Sequence, residues 1–535
     1  MTEFNSLADS NQGNSEGIPS IMGDHPDSNT KLSPSLAKQT LKGINWQFLA
    51  TVVQIVLSLV VGIVLARLLS PEDFGIVGYV LVFVGFTKTI AESGVASALI
   101  QLSDLTNGHL GVGLVLSFSI AIVAMGLLWF LSPFLVHGVS ISILRIVSLI
   151  FLINAPSIIS ESLLRRSLNF FPLFIVDAIS YSIGYGLVSI LLALSDHGVW
   201  SLVIGIMVQS VIRSGLLYLI SPYRLAIKFN KTELNTIVRF GTGITLTKIS
   251  NYGANNLDYY VTGTFLDSQA LGFYQRSFQL ITQSLLSIAG ILTSVLFPVF
   301  SKIQNDLEGS RRMYLLSVKL TSIVVFPIGI LVALVSRELI IVLYGSQWIG
   351  SIKALSILSI NAILISILTL GDALARGSGL VFHQARRHFL YAVMVFTFAF
   401  LGKRFNIEGI AIGVTLATFV MYLIMAKLSI NIVKARWRDF FIAQVPACFI
   451  GSVMGIITYA LGQIVNLYVE SEFMLLAIKI ILAGIVIIIT LLVMPKDWLG
   501  EIPKYISQFL YSKYPKIETF VRKIYRHNGD KASVQ

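Results

Sequence analysis

One cysteine, Cys448, is all that this chain of 535 residues carries, and it lies in an apolar stretch. An intrachain disulfide and a thiolate metal site are both excluded. No His-Glu-x-x-His pair occurs, so no ligand set for a catalytic metal is expected. The glycine-bearing run Gly371-Asp372-Ala373-Leu374-Ala375-Arg376-Gly377-Ser378-Gly379 lacks the lysine and the preceding strand of a phosphate-binding loop. No nucleotide-binding domain and no cofactor are implied. Charge is scarce as well: 12% of residues are Asp, Glu, Lys or Arg against 55% hydrophobic, with a mean hydropathy of +0.80. That is more apolar surface than a soluble core of this size can bury, and it places the chain in a bilayer. The N-terminus has no apolar run behind a basic start, so a cleavable signal peptide is not expected.

Apolar stretches recur almost end to end, each long enough for a helix to cross about 30 Å of hydrocarbon. Fourteen spans are expected, at about 44–66, 75–97, 110–131, 140–161, 172–193, 198–220, 239–263, 271–298, 314–335, 352–375, 388–402, 407–430, 441–462 and 474–494. The fourth is interrupted by Asn154 and Pro156, and the eleventh is short. The net charge of +12 is spread over short loops, which speaks against nucleic acid as a partner. It follows the positive-inside pattern. One set of loops holds Arg165 and Arg166, Arg224 and Lys228, Arg311 and Arg312, Arg386 and Arg387, and Arg436 and Arg438, whereas the other has little beyond Arg67, Arg337, Lys403 and Arg404. Both termini are therefore expected in the cytoplasm.

Leu69-Ser70-Pro71-Glu72-Asp73-Phe74-Gly75 recurs loosely as Leu266-Asp267-Ser268-Gln269-Ala270-Leu271-Gly272, with an apolar segment on each side of both copies. An all-α integral membrane protein with two six-helix lobes follows. Six is even, so the lobes are related in parallel by a pseudo-two-fold along the membrane normal, as in transporters built from repeats. The expected organisation is a disordered tail at 1–40, a first lobe at 41–222, a linker at 223–236, a second lobe at 237–431 and two extra helices at 441–494. A tail at 495–535 follows, in which Trp498, Leu499, Ile502, Tyr505, Ile506 and Phe509 fall at helical spacing. That pattern suggests an interfacial helix in contact with membrane lipids.

Ionisable residues inside spans are the candidate functional groups, because each costs about 2.5 to 3.5 kcal/mol near a helix centre. Lys248, Asn251, Asn255 and Asp258 recur at steps of three and four with Tyr259 beside them, and Arg276, Gln279 and Gln283 make a second stripe. Asp258 and Arg276 flank the turn near Ser268 at similar distances and are expected to meet, as a structural pair or in a cavity lining. Lys88 and Glu92, and Asp372 and Arg376, are four apart and share helix faces. Asp177 joins Glu92 and Asp258 as a candidate for ion coupling. Arg145, Arg213, Lys319, Lys427 and Lys479 are read as snorkelling to a surface. The loops of the less basic set are about fifteen residues or shorter, which leaves little room for catalytic machinery and argues against an enzyme.

Arg239-Phe240-Gly241, Asn251-Tyr252, Leu271-Gly272-Phe273-Tyr274 and Phe297-Pro298-Val299-Phe300-Ser301-Lys302-Ile303-Gln304-Asn305-Asp306 together resemble the lipid-linked oligosaccharide flippases of bacterial polysaccharide export. Leu65-Ala66-Arg67-Leu68-Leu69-Ser70-Pro71-Glu72-Asp73-Phe74-Gly75 looks like the first hairpin of that family. The likeness is to the colanic-acid-type branch, within the multidrug, oligosaccharidyl-lipid and polysaccharide exporter superfamily. The resemblance implies a bacterial inner-membrane flippase for an oligosaccharide on undecaprenyl pyrophosphate, serving exopolysaccharide, O-antigen or capsule synthesis by alternating access. Lys88, Lys248 and Arg276 would hold the anionic head group, while Asn251, Asn255, Tyr259, Gln279 and Gln283 would serve the sugars. A polysaccharide polymerase and glycosyltransferases would be partners. The alternatives are a small-molecule antiporter of the same superfamily, whose cavity should be acidic, and a membrane polymerase or glycosyltransferase, which should carry a long outward loop.

Overall fold

The computed structural model describes residues 34–102, 105–221, 231–304, 306–495 and 498. The tail before residue 34 and the proposed interfacial segment, apart from Trp498, lie outside the described residues. Helix α1 (Pro34–Leu68) already begins within the stretch expected to be a tail, with a proline in its first turn and the helix formers Leu36, Ala37 and Lys38 behind it. α2 is Pro71–Gln101, α3 Asn107–Leu135, α4 Val139–Ser148 and α5 Ile150–Arg166. The fourth expected span divides at Leu149 rather than at Pro156, which is carried inside α5. α6 (Phe170–Ser180) passes through a π-helical segment, Tyr181–Val188, into α7 (Ser189–Leu194), and α8 is Val199–Ile220.

In the second half α9 (Lys231–Phe265) begins six residues inside the expected linker, so 231–236 is helix. α10 (Ser268–Phe278) runs through a second π-helical segment, Gln279–Gln283, into α11 (Ser284–Lys302). There follow α12 (Leu307–Leu334), the short α13 (Ser336–Leu343), α14 (Ser351–Gly377), α15 (Val381–Gly402) and α16 (Asn406–Ile432). The chain continues as α17 (Trp437–Ile442), α18 (Val445–Val465) and α19 (Glu472–Val493). Each stretch expected to span falls on one of these helices or on a consecutive pair. Among the described residues eleven stretches are long and apolar enough to cross a membrane, one of them being α15 and α16 together. The described residues contain no strand, and the protein is an all-helical, multi-pass membrane protein.

Within lipid, helices gain little from leaving an apolar solvent, so close packing at small residues takes over. α15 and α16 show this: a Cβ on Gly402 would lie 2.2 Å from the Gly409 carbonyl oxygen, and one on Gly413 would lie 2.3 Å from that of Phe398. α14 packs against α11, α12 and α16 and is buried on nearly every side. α18 and α19 pack on one another, on α12 and on α13. Lys479 of α19, read from the sequence as snorkelling, is instead buried and hydrogen-bonded to Glu338 of α13.

The two halves meet where α2 packs along α9 and α10. A Cβ on Gly75 would lie 1.6 Å from the Ser268 carbonyl oxygen, and one on Gly272 would lie 1.9 Å from that of Pro71. These glycines occupy equivalent places in the two copies of the repeat, so the copies press on each other backbone to backbone. Each copy opens a capped helix: Ser70 Oγ accepts from the Asp73 amide, and Asp267 Oδ1 from the Ala270 amide. At the same end the carbonyls that close α1 are satisfied from the other half. Trp348 Nε1 donates to the Ala66 oxygen at 2.7 Å, Gln347 Nε2 does the same, and Arg67 reaches back to the carbonyls of Val342 and Leu343.

Candidate functional site

Beyond the crossing α2 stays packed along α9, and cavities lie beside this pair. Glycines on α2 permit the approach: Gly75, Gly78 and Gly85 share one face, and a Cβ on Gly78 or Gly85 would strike Gln275 or the Tyr252 hydroxyl. Four residues past Gly272 on the same face of α10 stands Arg276, only 7% exposed. Its guanidinium lies 3.8 Å over the ring of Phe74, and Nη1 donates to Gln279 Oε1 at 3.0 Å. Among the described residues it forms no ion pair. A buried cation held by an aromatic face, one amide and the Tyr185 hydroxyl still keeps guanidinium donors available for an anion.

Arg276 lines a space of mixed polar and apolar character between the two halves. Around it lies a volume of about 220 Å³, lined also by Tyr181, Tyr185, Gln209 and Gln279. It shares Ser58, Tyr181, Gln209 and Gln279 with a volume of about 470 Å³ that extends past Thr51, Gln54 and Asp177. The two π-helical segments place Tyr181, Tyr185 and Gln279 here. Such segments turn side chains out of the ordinary helical register and recur at functional sites. A further cavity of about 560 Å³ lies between α2, α5 and α9, where Lys88, Lys248, Arg165 and Glu161 meet Thr89, Ser97 and Tyr252.

The sequence candidates thus separate. Arg276 and Gln279 share the first space, and Lys88 and Lys248, both exposed, share the second. Asp177 lines the first space but is bound at 2.8 Å by Arg213, which also holds Glu161 at 3.0 Å. Arg213 is therefore a bridge inside the first half and not a snorkelling residue. Asn255 is exposed and bonds its Nδ2 to the Asn251 carbonyl oxygen; neither residue lines these spaces. The side chains of Glu92 and Gln283 lie outside the described residues.

Asp258 does not meet Arg276. It is 2% exposed, with Oδ1 accepting from the Tyr259 amide at 3.0 Å and Oδ2 from the Tyr274 hydroxyl at 2.9 Å. Residues 274 and 276 point about 200° apart around a helix, so when Tyr274 faces α9 Arg276 must face away from it. Tyr259 packs its ring on Tyr274 and Phe278 rather than in the open space. Asp372 likewise leaves Arg376, which is exposed, and takes partners on α15. Sequence reading missed Tyr181, Tyr185, Gln54 and Gln209. The spacing of Tyr181 and Tyr185 by four was the available sign.

A family profile described as "Polysaccharide biosynthesis protein" matches residues 64–353, more than half of the chain and the part that holds the crossing and Arg276. The chain belongs to that family. Among similar family proteins, it is 24% identical over 453 residues to "Lipopolysaccharide biosynthesis protein WzxC" of Escherichia coli (strain K12), covering 81% of this chain and 89% of that one. It is 25% identical over 459 residues to "Teichuronic acid biosynthesis protein TuaB" of Bacillus subtilis (strain 168), covering 84% and 94%. In fold it is similar to the lipid II flippase MurJ in an inward closed conformation, with a TM-score of 0.69, 17% identity and coverage of 84% and 99%. It is also similar to an inward-facing multidrug resistance transporter of the MATE family, with a TM-score of 0.57, 15% identity and coverage of 71% and 94%.

Proposed function

We propose that this family member is a flippase that moves an oligosaccharide on a polyprenyl pyrophosphate from the inner to the outer leaflet of the bacterial cytoplasmic membrane. Membership of the family and likeness to WzxC and TuaB support the substrate class. The observation that carries the reading is Arg276, a buried arginine without an ion-pair partner among the described residues, lining a cavity with Gln209, Gln275 and Gln279. Loop charge assigns the glycine crossing to the outer side and both termini to the cytoplasm. Residues 34–221 and 231–432 then act as the two lobes that rock about the substrate.

In this reading the cavity faces the cytoplasm while the crossing is shut. The pyrophosphate enters past Lys88 and Lys248 and reaches Arg276, while Gln54, Gln209 and Gln279 meet sugar hydroxyls and the polyprenyl chain stays in lipid. Low dielectric around Arg276 strengthens its contact with phosphate. Opening of the crossing admits outer water, which weakens that contact and releases the head group. A carrier of organic cations needs acidic groups free in the cavity, whereas Glu161 and Asp177 are already engaged by Arg165 and Arg213. The test is Arg276→Ala and Lys248→Ala in a strain lacking its own flippase. At normal membrane abundance both should lose polymer export, and normal export from both would overturn the head-group role.

A further inference from the structure

Asp372, near the end of α14, is 7% exposed. One of its oxygens, Oδ1, receives two hydrogen bonds from α15: Gln384 Nε2 at 2.9 Å and His388 Nε2 at 2.9 Å. Gln384 is also 7% exposed. The three groups stitch the hairpin of α14 and α15 about one and a half turns from its bend. A carboxylate only accepts hydrogen bonds, so His388 Nε2 carries a hydrogen and Nδ1 is the nitrogen left to take a proton. An acid paired with a histidine inside a membrane bundle is the composition of a proton relay, and such residues are costly to retain without use.

The other charged groups described on the helices packed around this hairpin include Lys353 and Arg376 on α14, His383, Arg386 and Arg387 on α15, Glu408 and Lys427 on α16, Lys248 and Asp258 on α9, Arg276 on α10, Lys302 on α11, and Glu308, Arg311, Arg312 and Lys319 on α12. Arg387 donates to its own helix at the His383 carbonyl oxygen. Arg376 and Lys427 are exposed. Of the carboxylates among them, Asp258 is bound by the Tyr274 hydroxyl, Glu408 pairs with Lys353, and Glu308 is exposed in the first turn of α12, so Asp372, 2.9 Å from Nε2, is the carboxylate that meets His388.

We propose that Asp372 and His388 form a proton-binding site that links export to proton entry. The inference rests on the flippase reading. His388 Nδ1 takes a proton from hydronium and releases water; the imidazolium then donates from Nε2 to the carboxylate, and the pair passes from charge −1 to 0. The neutral pair is cheaper to enclose between packed helices than the anionic one. By loop charge the bend of this hairpin is cytoplasmic, so the pair releases its proton to the cytoplasm as the next lipid loads, and protonation by way of the outward-open cavity favours return of the lobes. Proton and substrate thus move in opposite directions.

Export is measured in whole cells with and without a protonophore, for wild type, Asp372→Asn and His388→Gln, at matched membrane abundance. Wild type is expected to slow severalfold with the protonophore. Both variants are expected to export slowly and without response to it. Variants that keep the full wild-type rate and response, or a wild type that ignores the protonophore, overturn the proposal. If the variants do not reach the membrane, the wild-type protein in nanodiscs with ¹⁵N-labelled histidine decides. A His388 resonance that titrates between pH 5 and 9 supports the site, and one that does not overturns it. Failure of the wild-type gene to restore export in a flippase-deficient strain, with His388 still titrating, would instead count against the flippase reading.

Discussion

On the proposed orientation Gly75 and Gly272 touch only while the outer end is shut, so a side chain at either place should act on that state alone. An added Cβ at Gly75 would lie 1.6 Å from the Ser268 oxygen and 2.5 Å from its carbonyl carbon. Ordinary contact needs about 3.5 Å, so α2 and α10 must separate by about 2 Å. Both obstructing atoms are backbone and cannot rotate aside. Overpacking of this kind costs about 1–3 kcal/mol. In the open state the two glycines are apart and the cost vanishes, so the balance moves toward opening by about 5- to 150-fold.

Ser58 lines the space around Arg276 and is a suitable reporter. In a Cys448→Ser background with Ser58→Cys, labelling by a membrane-impermeant maleimide from outside the cell should accelerate about 5- to 150-fold when Gly75→Ala is added. Gly272→Ala should act alike, since its Cβ would lie 1.9 Å from the Pro71 oxygen. Gly215→Ala is the control, with nothing within 4 Å of its added carbon. If Gly75→Ala reaches the membrane normally and labels at the parent rate, the crossing is not the outer seal.

Trp348→Phe keeps the packing on Phe74 but removes the bond to the Ala66 carbonyl oxygen; it should favour opening by about 0.5–1.5 kcal/mol, read in the same labelling assay as a smaller acceleration. Lys479→Met alone strands Glu338, whose Oε2 is already without a partner, and should lower thermal stability by about 3–5 kcal/mol. Adding Glu338→Leu should recover most of that loss, and equal melting of the single and double variants would refute the pairing argument. Because Asp258 bonds Tyr274 and not Arg276, the exchange Asp258→Arg with Arg276→Asp should restore neither abundance nor export. Recovery of abundance in the exchange would show that the two charges do meet.

What could be read from the sequence was whatever depends on one segment at a time. Runs of apolar residues long enough to cross a bilayer mark helices without regard to neighbours, which is why the expected spans fall on helices. The likeness of Leu69–Gly75 to Leu266–Gly272 was legible too, yet not that the copies touch. A glycine announces that something comes close and leaves its identity to the fold. Arg276 stood out because a charge in a span is costly, while its surroundings come from Phe74 on α2 and from Tyr181 and Tyr185 beside α6. Local rules failed where distant partners offered more. The four-residue spacing of Asp372 and Arg376 promised a pair worth about 0.2–0.5 kcal/mol, whereas Gln384 and His388 supply two hydrogen bonds to a buried carboxylate, each worth about 1.5–3 kcal/mol. The same competition explains Asp258. An ion pair across the hairpin demanded that Arg276 turn toward α9, but that rotation would also carry Gly272, on the same face, away from Pro71. The crossing of the two repeats therefore fixes the direction of Arg276, and the residue that seals the bundle is the one that aims its cation into the cavity.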